Sequence, residues 1–283
     1  MQNQSLNSAM IDDAQAKAAQ AYADDFGTPG HDDPSQMYID QRYDGYTSEN
    51  QETWTTLYDR QMDYLCDHAS SVYLNGARAI NLVREHIPYL EGPKSVNTFL
   101  RELTGWQSRP VPGYLPAKAF FACLANRDFP TTITIRPKKS IDYLPEPDIF
   151  HDIFGHVPLH ADPVFADFLQ TYGKAALTTD DPVHTQRLAR LFWFTVEFGL
   201  ISEDDQLKLY GSGLISSPGE SAHALDSPDV ERRPFDLEQV CDTDFEIDHY
   251  QPILYVLDSF DQLRDGMNTY ANRILEETGA ATG

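Results

Sequence analysis

Between Arg190 and Glu203 the chain carries a single ionisable side chain, Glu197, inside the run Phe192-Trp193-Phe194-Thr195-Val196-Glu197-Phe198-Gly199-Leu200. So apolar a run belongs in a core. A carboxylate buried there alone loses its hydration or takes up a proton. Any fold this chain adopts must therefore leave Glu197 protonated or bring a positive partner to it. An arginine would meet that demand, and so would a divalent cation.

A second segment bears on the choice. His151 and His156 stand in Pro147-Asp148-Ile149-Phe150-His151-Asp152-Ile153-Phe154-Gly155-His156-Val157-Pro158. Two neutral imidazoles and one carboxylate suit a non-haem ferrous site, where they take one face of an octahedron and leave the other open to oxygen and substrate. The histidines are five residues apart, and five residues rotate a regular helical position by about 140°. That spacing predicts His156 at a helix end, with Gly155 and Pro158 supplying the turn and with Pro147 and Asp148 marking the other end. By spacing alone, the pattern suits zinc as well as iron.

Composition excludes several partners. The formal net charge of −23 argues against nucleic acid or anionic membranes, which need basic patches. No stretch reaches the roughly 18 apolar residues of a membrane span. Residues 1–20 lack the basic-then-apolar pattern of a secretory signal. Cys66, Cys123 and Cys241 are scattered, without CxxC spacing, as reduced thiols of a cytoplasmic protein would be. Acidic residues recur along the whole chain, as in Asp24-Asp25, Asp180-Asp181 and Glu203-Asp204-Asp205, which predicts a solvated acidic shell of the kind that suits high salt.

Residues 1–50 read as an acidic N-terminal extension, partly helical (around 12–25) or flexible, and residues 51–283 as one catalytic domain. Apolar positions from Trp54 to Tyr73 predict one long amphipathic helix. Ser95 reads as the N-cap of a helix ending near Gly105. Further helices are expected over 117–125, 148–155, 163–177, 183–201 and 259–277. A strand is expected over 131–136 and a hairpin over 207–216, centred on Tyr210-Gly211-Ser212-Gly213. The fold class is mainly α with a few short β-strands (α+β), without internal repeats.

PEPDIFHDIFGHVPL (145–159) and FWFTVEFGL (192–200) resemble the iron-binding segments of the pterin-dependent aromatic amino acid hydroxylases. The likeness continues through RPVPGYL (109–115), YGSGLISSPGE (210–220) and YQPILYVLDSF (250–260), over roughly residues 50–275 in order. It implies an aromatic amino acid hydroxylase-type catalytic domain in which His151, His156 and Glu197 ligate Fe(II). It implies that Arg136 takes the substrate carboxylate with Asp148 orienting it, that Trp193 and Phe198 wall the aromatic pocket, and that Ser216 lies near the substrate carboxylate. A guanidinium fork suits a carboxylate because the pairing is planar and bidentate. On the same resemblance Phe120 stacks on a tetrahydropterin (tetrahydrobiopterin or a relative), Gly113 and Leu115 pass its edge, and Glu220 lies near the iron. His160, His184 and His223 match no pattern and are assigned to packing or the surface.

Three departures touch the pocket: Leu144 where animal members have threonine, Phe192 in place of a common tyrosine, and Asp152 in place of glutamate. Tyrosine hydroxylases carry an aspartate where Ile247 stands, so an apolar residue there favours phenylalanine. The implied activity is hydroxylation of L-phenylalanine to L-tyrosine with O2, by a cytoplasmic monomer resembling the compact bacterial members. Tryptophan hydroxylation on the same fold is the near alternative. A zinc-dependent hydrolase and a non-catalytic metal-binding protein are the alternatives from other classes.

Overall fold

The computed structural model describes residues 34–113, 115–142, 147–246 and 249–279. The helix expected over 12–25, and the positions of Leu144 and Ile247, lie outside them. Helix α1 (Ser48–His68) begins at a reciprocal capping box, in which Asn50 N–H donates to Thr47 Oγ1 and Thr47 N–H to Asn50 Oδ1. Its buried stripe is Trp54, Leu57, Gln61 and Leu65. The periodicity that predicts one long helix to Tyr73 is interrupted at Ala69. There the backbone pairs with Leu209, and Ser70 N–H donates to Leu209 O at 2.8 Å. Ser70 then caps α2 (Ser71–Ala79) through its hydroxyl. The same apolar stripe thus serves two helices with a kink between them.

After α3 (Val96–Leu103), capped by Ser95 as expected, come β1 (Gln107–Val111), α4 (Ala117–Ala125) and β2 (Asp128–Thr132). The two strands are parallel, joined through α4. The strand expected over 131–136 therefore lies earlier, sharing only Thr131 and Thr132. Its partner β1 ends at Val111, and Pro112 has no N–H to continue a ladder. Residues 133–136 bond instead to the segment that follows, with Ile149 N–H donating to Thr134 O and Arg136 N–H to Asp148 Oδ2.

Helices α5 (Pro163–Leu177) and α6 (Pro182–Phe192) both start from an aspartate cap followed by proline, the residue preferred at a first helical position. α5 packs between α4 and α10 (Phe260–Thr278). Residues 183–201 are not one helix. α6 ends at Phe192, a π-helical turn spans Trp193–Glu197, and β3 (Leu200–Glu203) follows.

The expected hairpin over 207–216 is displaced. The hairpin joins β3 to β4 (Gln206–Leu209), and its turn is Asp204-Asp205, both in the left-handed region at φ 51° and 60°. Aspartate tolerates that conformation, so no glycine is needed. Gly211 serves another purpose: a Cβ there would collide with Gly199 N and Glu197 O. Beyond it lie α7 (Ser212–Ser216), α8 (Pro218–Asp226), β5 (Glu231–Pro234), α9 (Leu237–Asp242) and β6 (Ile253–Leu257). The second sheet has the order β4-β3-β6-β5, antiparallel only at β3–β4.

One continuous apolar core joins these elements. Each fully buried Leu, Phe or Val contributes roughly 1.5–3 kcal/mol relative to exposure. Phe150 and Phe154 stack at 4.5 Å, and Trp54 and Tyr58 of α1 meet them edge-on. That contact seats the histidine-bearing segment on α1 and fixes which of its faces turns away from the helix. Residues before α1 also dock: Met37 is fully buried, and Ile39 N–H donates to Pro110 O. Among the described residues no helix is long and apolar enough to cross a membrane.

Candidate functional site

His151 and His156 occupy a π-helical turn, Phe150–His156, rather than a regular helix with a broken end. Val157 N–H donates to Asp152 O, the i to i−5 bond of a π turn. A turn closing on the fifth residue places positions five apart on one face. The two Nε2 atoms accordingly lie 3.2 Å apart. Tyr73 of α2 supports the widened turn by donating its hydroxyl to Phe154 O at 2.8 Å. Gly155 also allows a close approach to α7: a Cβ there would stand 3.1 Å from Ser212 O and 3.3 Å from Ser212 Cβ.

Glu197 ends the second π turn, closed by the bond from Phe198 N–H to Trp193 O. Its Oε1 is 3.2 Å from His156 Nε2 and its Oε2 3.7 Å from His151 Nε2. Ser212 donates to Oε2 at 2.7 Å. Burial alone would push the Glu197 carboxyl up, but His156, His151 and Ser212 outweigh it and hold the group down at about 2. His151 is lowered to about 4, mainly by burial. At neutral pH the carboxylate is thus ionised and the His151 ring neutral.

The hydrogen bonds also assign the His151 tautomer. Ser216 Oγ gives its one proton to Ser212 O at 2.8 Å, so it accepts from His151 Nδ1, also at 2.8 Å. The Nε2 lone pair is left facing His156 and Glu197. Two imidazoles and an ionised carboxylate converging this closely form a donor set that fits a divalent cation.

A second carboxylate, Asp152, groups with the same two histidines. It is less suited to a metal. Its Oδ2 accepts Thr132 N–H at 2.6 Å, and burial raises its carboxyl to about 7. Glu197 is the carboxylate the surroundings keep ionised.

The cluster opens onto a cleft of about 250 Å³, also lined by Val111, Gly113, Leu115, Phe120, Phe129 and Phe192. A Cβ on Gly113 would meet nothing within 4 Å, so the backbone there leaves space a flat ring can use. Phe120 meets Phe192 edge-on at 5.7 Å. A cleft walled by Leu115, Phe120, Phe129 and Phe192 offers the apolar surface that a flat pterin ring needs.

The expected substrate residues lie behind His151. Asp148 Oδ1 accepts His151 N–H at 3.0 Å. Asp148 also grips Arg136 bidentately, through Nε at 2.8 Å and Nη2 at 3.0 Å, with both side chains nearly inaccessible. The Nη1 edge of the guanidinium is left free of that grip. Trp193 stacks on Phe245, packs against Phe198 at 4.7 Å, and donates Nε1–H to Gln251 Oε1. None of these five residues, Ser216 included, lines the cleft that holds Phe120.

Glu220 sits at the third position of α8, its N–H donated to the Ser217 cap, and burial raises its carboxyl to about 7. It does not line the cleft. His160 stacks on Trp106, His184 bonds to Tyr270 and Glu277, and His223 stacks on Tyr250, all packing roles. Two functional groups escaped sequence reasoning. The Ser212 hydroxyl is one, although its place four residues before Ser216 on one helical face was a usable signal. The Thr132 N–H that holds Asp152 is the other, and no side-chain pattern encodes it.

Residues 41–279 match the family of biopterin-dependent aromatic amino acid hydroxylases, and the chain belongs to that family. Among its relatives is the phenylalanine-4-hydroxylase of Mesorhizobium japonicum, 46% identical over 232 residues, 82% of each chain. The phenylalanine-4-hydroxylase of Caulobacter vibrioides is 44% identical over 227 residues, 80% of this chain and 76% of the relative. A crystal structure of Chromobacterium violaceum phenylalanine hydroxylase with bound iron(III) and 7,8-dihydrobiopterin superposes with a TM-score of 0.79, at 40% identity and 87% coverage of both chains.

Proposed function

We propose that the protein is a phenylalanine 4-monooxygenase, converting L-phenylalanine to L-tyrosine with O2 and a tetrahydropterin at a non-haem Fe(II) centre. The observation that carries this reading is the convergence of His151, His156 and Glu197 at one end of an apolar cleft that presents Phe120. His151, His156 and Glu197 would hold the iron, bound through the face that the two π turns create. Iron and reduced pterin, when bound, supply the oxygen activation and the ring oxidation.

The chain's own residues bind and orient. Phe120 offers its ring for pterin stacking, and Gly113 and Leu115 present backbone to the pterin edge. Arg136 takes the substrate carboxylate through the guanidinium edge that Asp148 leaves free, and Asp148 fixes the plane of that fork. Trp193 and Phe198 wall the aromatic ring. Ser216 keeps the His151 tautomer with Nε2 as the donor atom. No side chain is asked to serve as general base. The enzyme is read as a cytoplasmic monomer acting on free amino acid, and its net charge of −23 disfavours nucleic-acid and membrane partners.

The test is tyrosine formation by metal-stripped protein reloaded separately with iron and with zinc, in the presence of reduced pterin. Turnover with iron alone is expected, with phenylalanine preferred over tryptophan and tyrosine. Absence of product with ferrous iron and reduced pterin defeats the reading.

A further inference from the structure

Ser212 touches both segments that carry the cluster. Its hydroxyl lies 2.7 Å from Glu197 Oε2 and 3.3 Å from Val196 O. A hydroxyl has one proton, and the shorter bond to a charged oxygen takes it. Its carbonyl accepts from Ser216 Oγ, which in turn accepts from His151 Nδ1. It also sits beside Gly155, the residue before His156, where an added Cβ would come within 3.1 Å of Ser212 O and 3.3 Å of Ser212 Cβ. The residue is 1% exposed. It is also held in place, because Gly211 before it packs against Glu197 O and Gly199 N with no room for a side chain.

We propose that Ser212 is a positioning residue that decides how Glu197 presents itself to the metal. The inference rests on the metal-centre reading above. The Ser212 hydrogen bond draws charge from Oε2, which leaves Oε1, the oxygen beside His156 Nε2, as the stronger metal donor. Drawing Oε2 onto the metal as well would set the metal and the hydroxyl in competition for that oxygen's charge and weaken the buried hydrogen bond. Ser212 therefore keeps the carboxylate to one coordination position and leaves one more for exogenous ligands.

The same residue couples the two π turns. A shift of α7 that loosened the Ser212–Glu197 bond would move the carbonyl on which Ser216, and through it the His151 tautomer, depends. A serine packed into the core as an apolar filler would show neither link.

The test uses Co(II) as the probe, in metal-stripped wild-type protein and in Ser212→Ala. Cobalt d–d absorption weakens as coordination number rises, so it reports the carboxylate mode without turnover. Ser212→Ala is expected to bind Co(II) with weaker d–d bands than wild type, as a second carboxylate oxygen joins the metal. Ser212→Cys, similar in size but a weak donor, is expected to shift the spectrum in the same direction, and serves alone if Ser212→Ala does not fold. Wild-type spectra in the folded variants overturn the proposal. Wild-type protein that takes up no stoichiometric Co(II) or Fe(II) defeats the metal-centre reading itself and removes Ser212's role with it.

Discussion

The two π turns that meet at the cluster are made of opposite materials. Phe150–His156 alternates function and packing: Phe150 and Phe154 face α1, while His151 and His156 face the cleft. Trp193–Glu197 is uncharged until its last residue, and its single carboxylate emerges where the helix stops and β3 begins. The first turn uses its extra width to align two histidines five residues apart. The second uses it to end α6, so that Glu197 points back across the chain at the histidines. Tyr73 donates to a backbone carbonyl of the first turn, and Ser212 to the carboxylate that ends the second.

The largest expected effect comes from removing the charge of the second turn. Glu197→Gln should lower iron affinity by about 100-fold or more while the fold survives, since even outer partners of a ligand are worth 10–100-fold. Iron binding like that of wild type, measured by competition with a chelator, counts against the assignment of Glu197.

A pH series separates the turns. The His151 pKa falls from 6.5 to about 4 on folding, so in this window the unfolded chain binds the extra proton. Its contribution to stability is complete above about 6.5 and is lost as pH falls toward about 4. The Glu197 contribution is complete above about 4.5 and is lost only as pH falls toward about 2. Other groups, Asp152 among them, titrate in the opposite sense, so the comparison must be internal. Metal-free wild type should lose thermal stability relative to His151→Asn between pH 6.5 and 4. Parallel curves for the two proteins would show that the His151 ring gains no proton on unfolding.

Tyr73→Phe leaves Phe154 O without its donor in the interior. A loss of about 1–3 kcal/mol is expected in urea unfolding. A neutral result would mean that the first π turn needs no support from α2.

The smallest effect belongs to the open side of the cluster. Phe120→Ala should raise the pterin KM by about tenfold, the scale of an aromatic contact of about 1.4 kcal/mol. Phe120 is only half-buried, so the melting temperature should hardly move. An unchanged pterin KM would remove Phe120 from the cofactor site.

Local chemistry carried much of the architecture. Ser95 announced its helix, and the Asp-Pro starts of α5 and α6 are both aspartate caps. What local chemistry missed depended on partners distant in sequence. Ala69 breaks a helix because Leu209 pairs with it. β1 was not among the expected strands, and it forms because β2 lies beside it. The hairpin moved to Asp204-Asp205 because the glycines that resemble a turn are required by close packing at Glu197 and Phe198.

By itself the sequence marked the candidate donors. A carboxylate isolated in an apolar run needs a proton or a positive partner, and two histidines of the right chemistry stand within one short segment. It could not determine how they align, because a regular helix puts residues five apart on different faces. Tertiary packing decided that point. α1 and α2 seat one widened turn, α7 seats the other, and the hydroxyls of Tyr73, Ser212 and Ser216 satisfy the groups those turns bring inside. A backbone hydrogen-bond register is chosen by what packs around it, and that information is spread over the chain rather than written in the segment that adopts it.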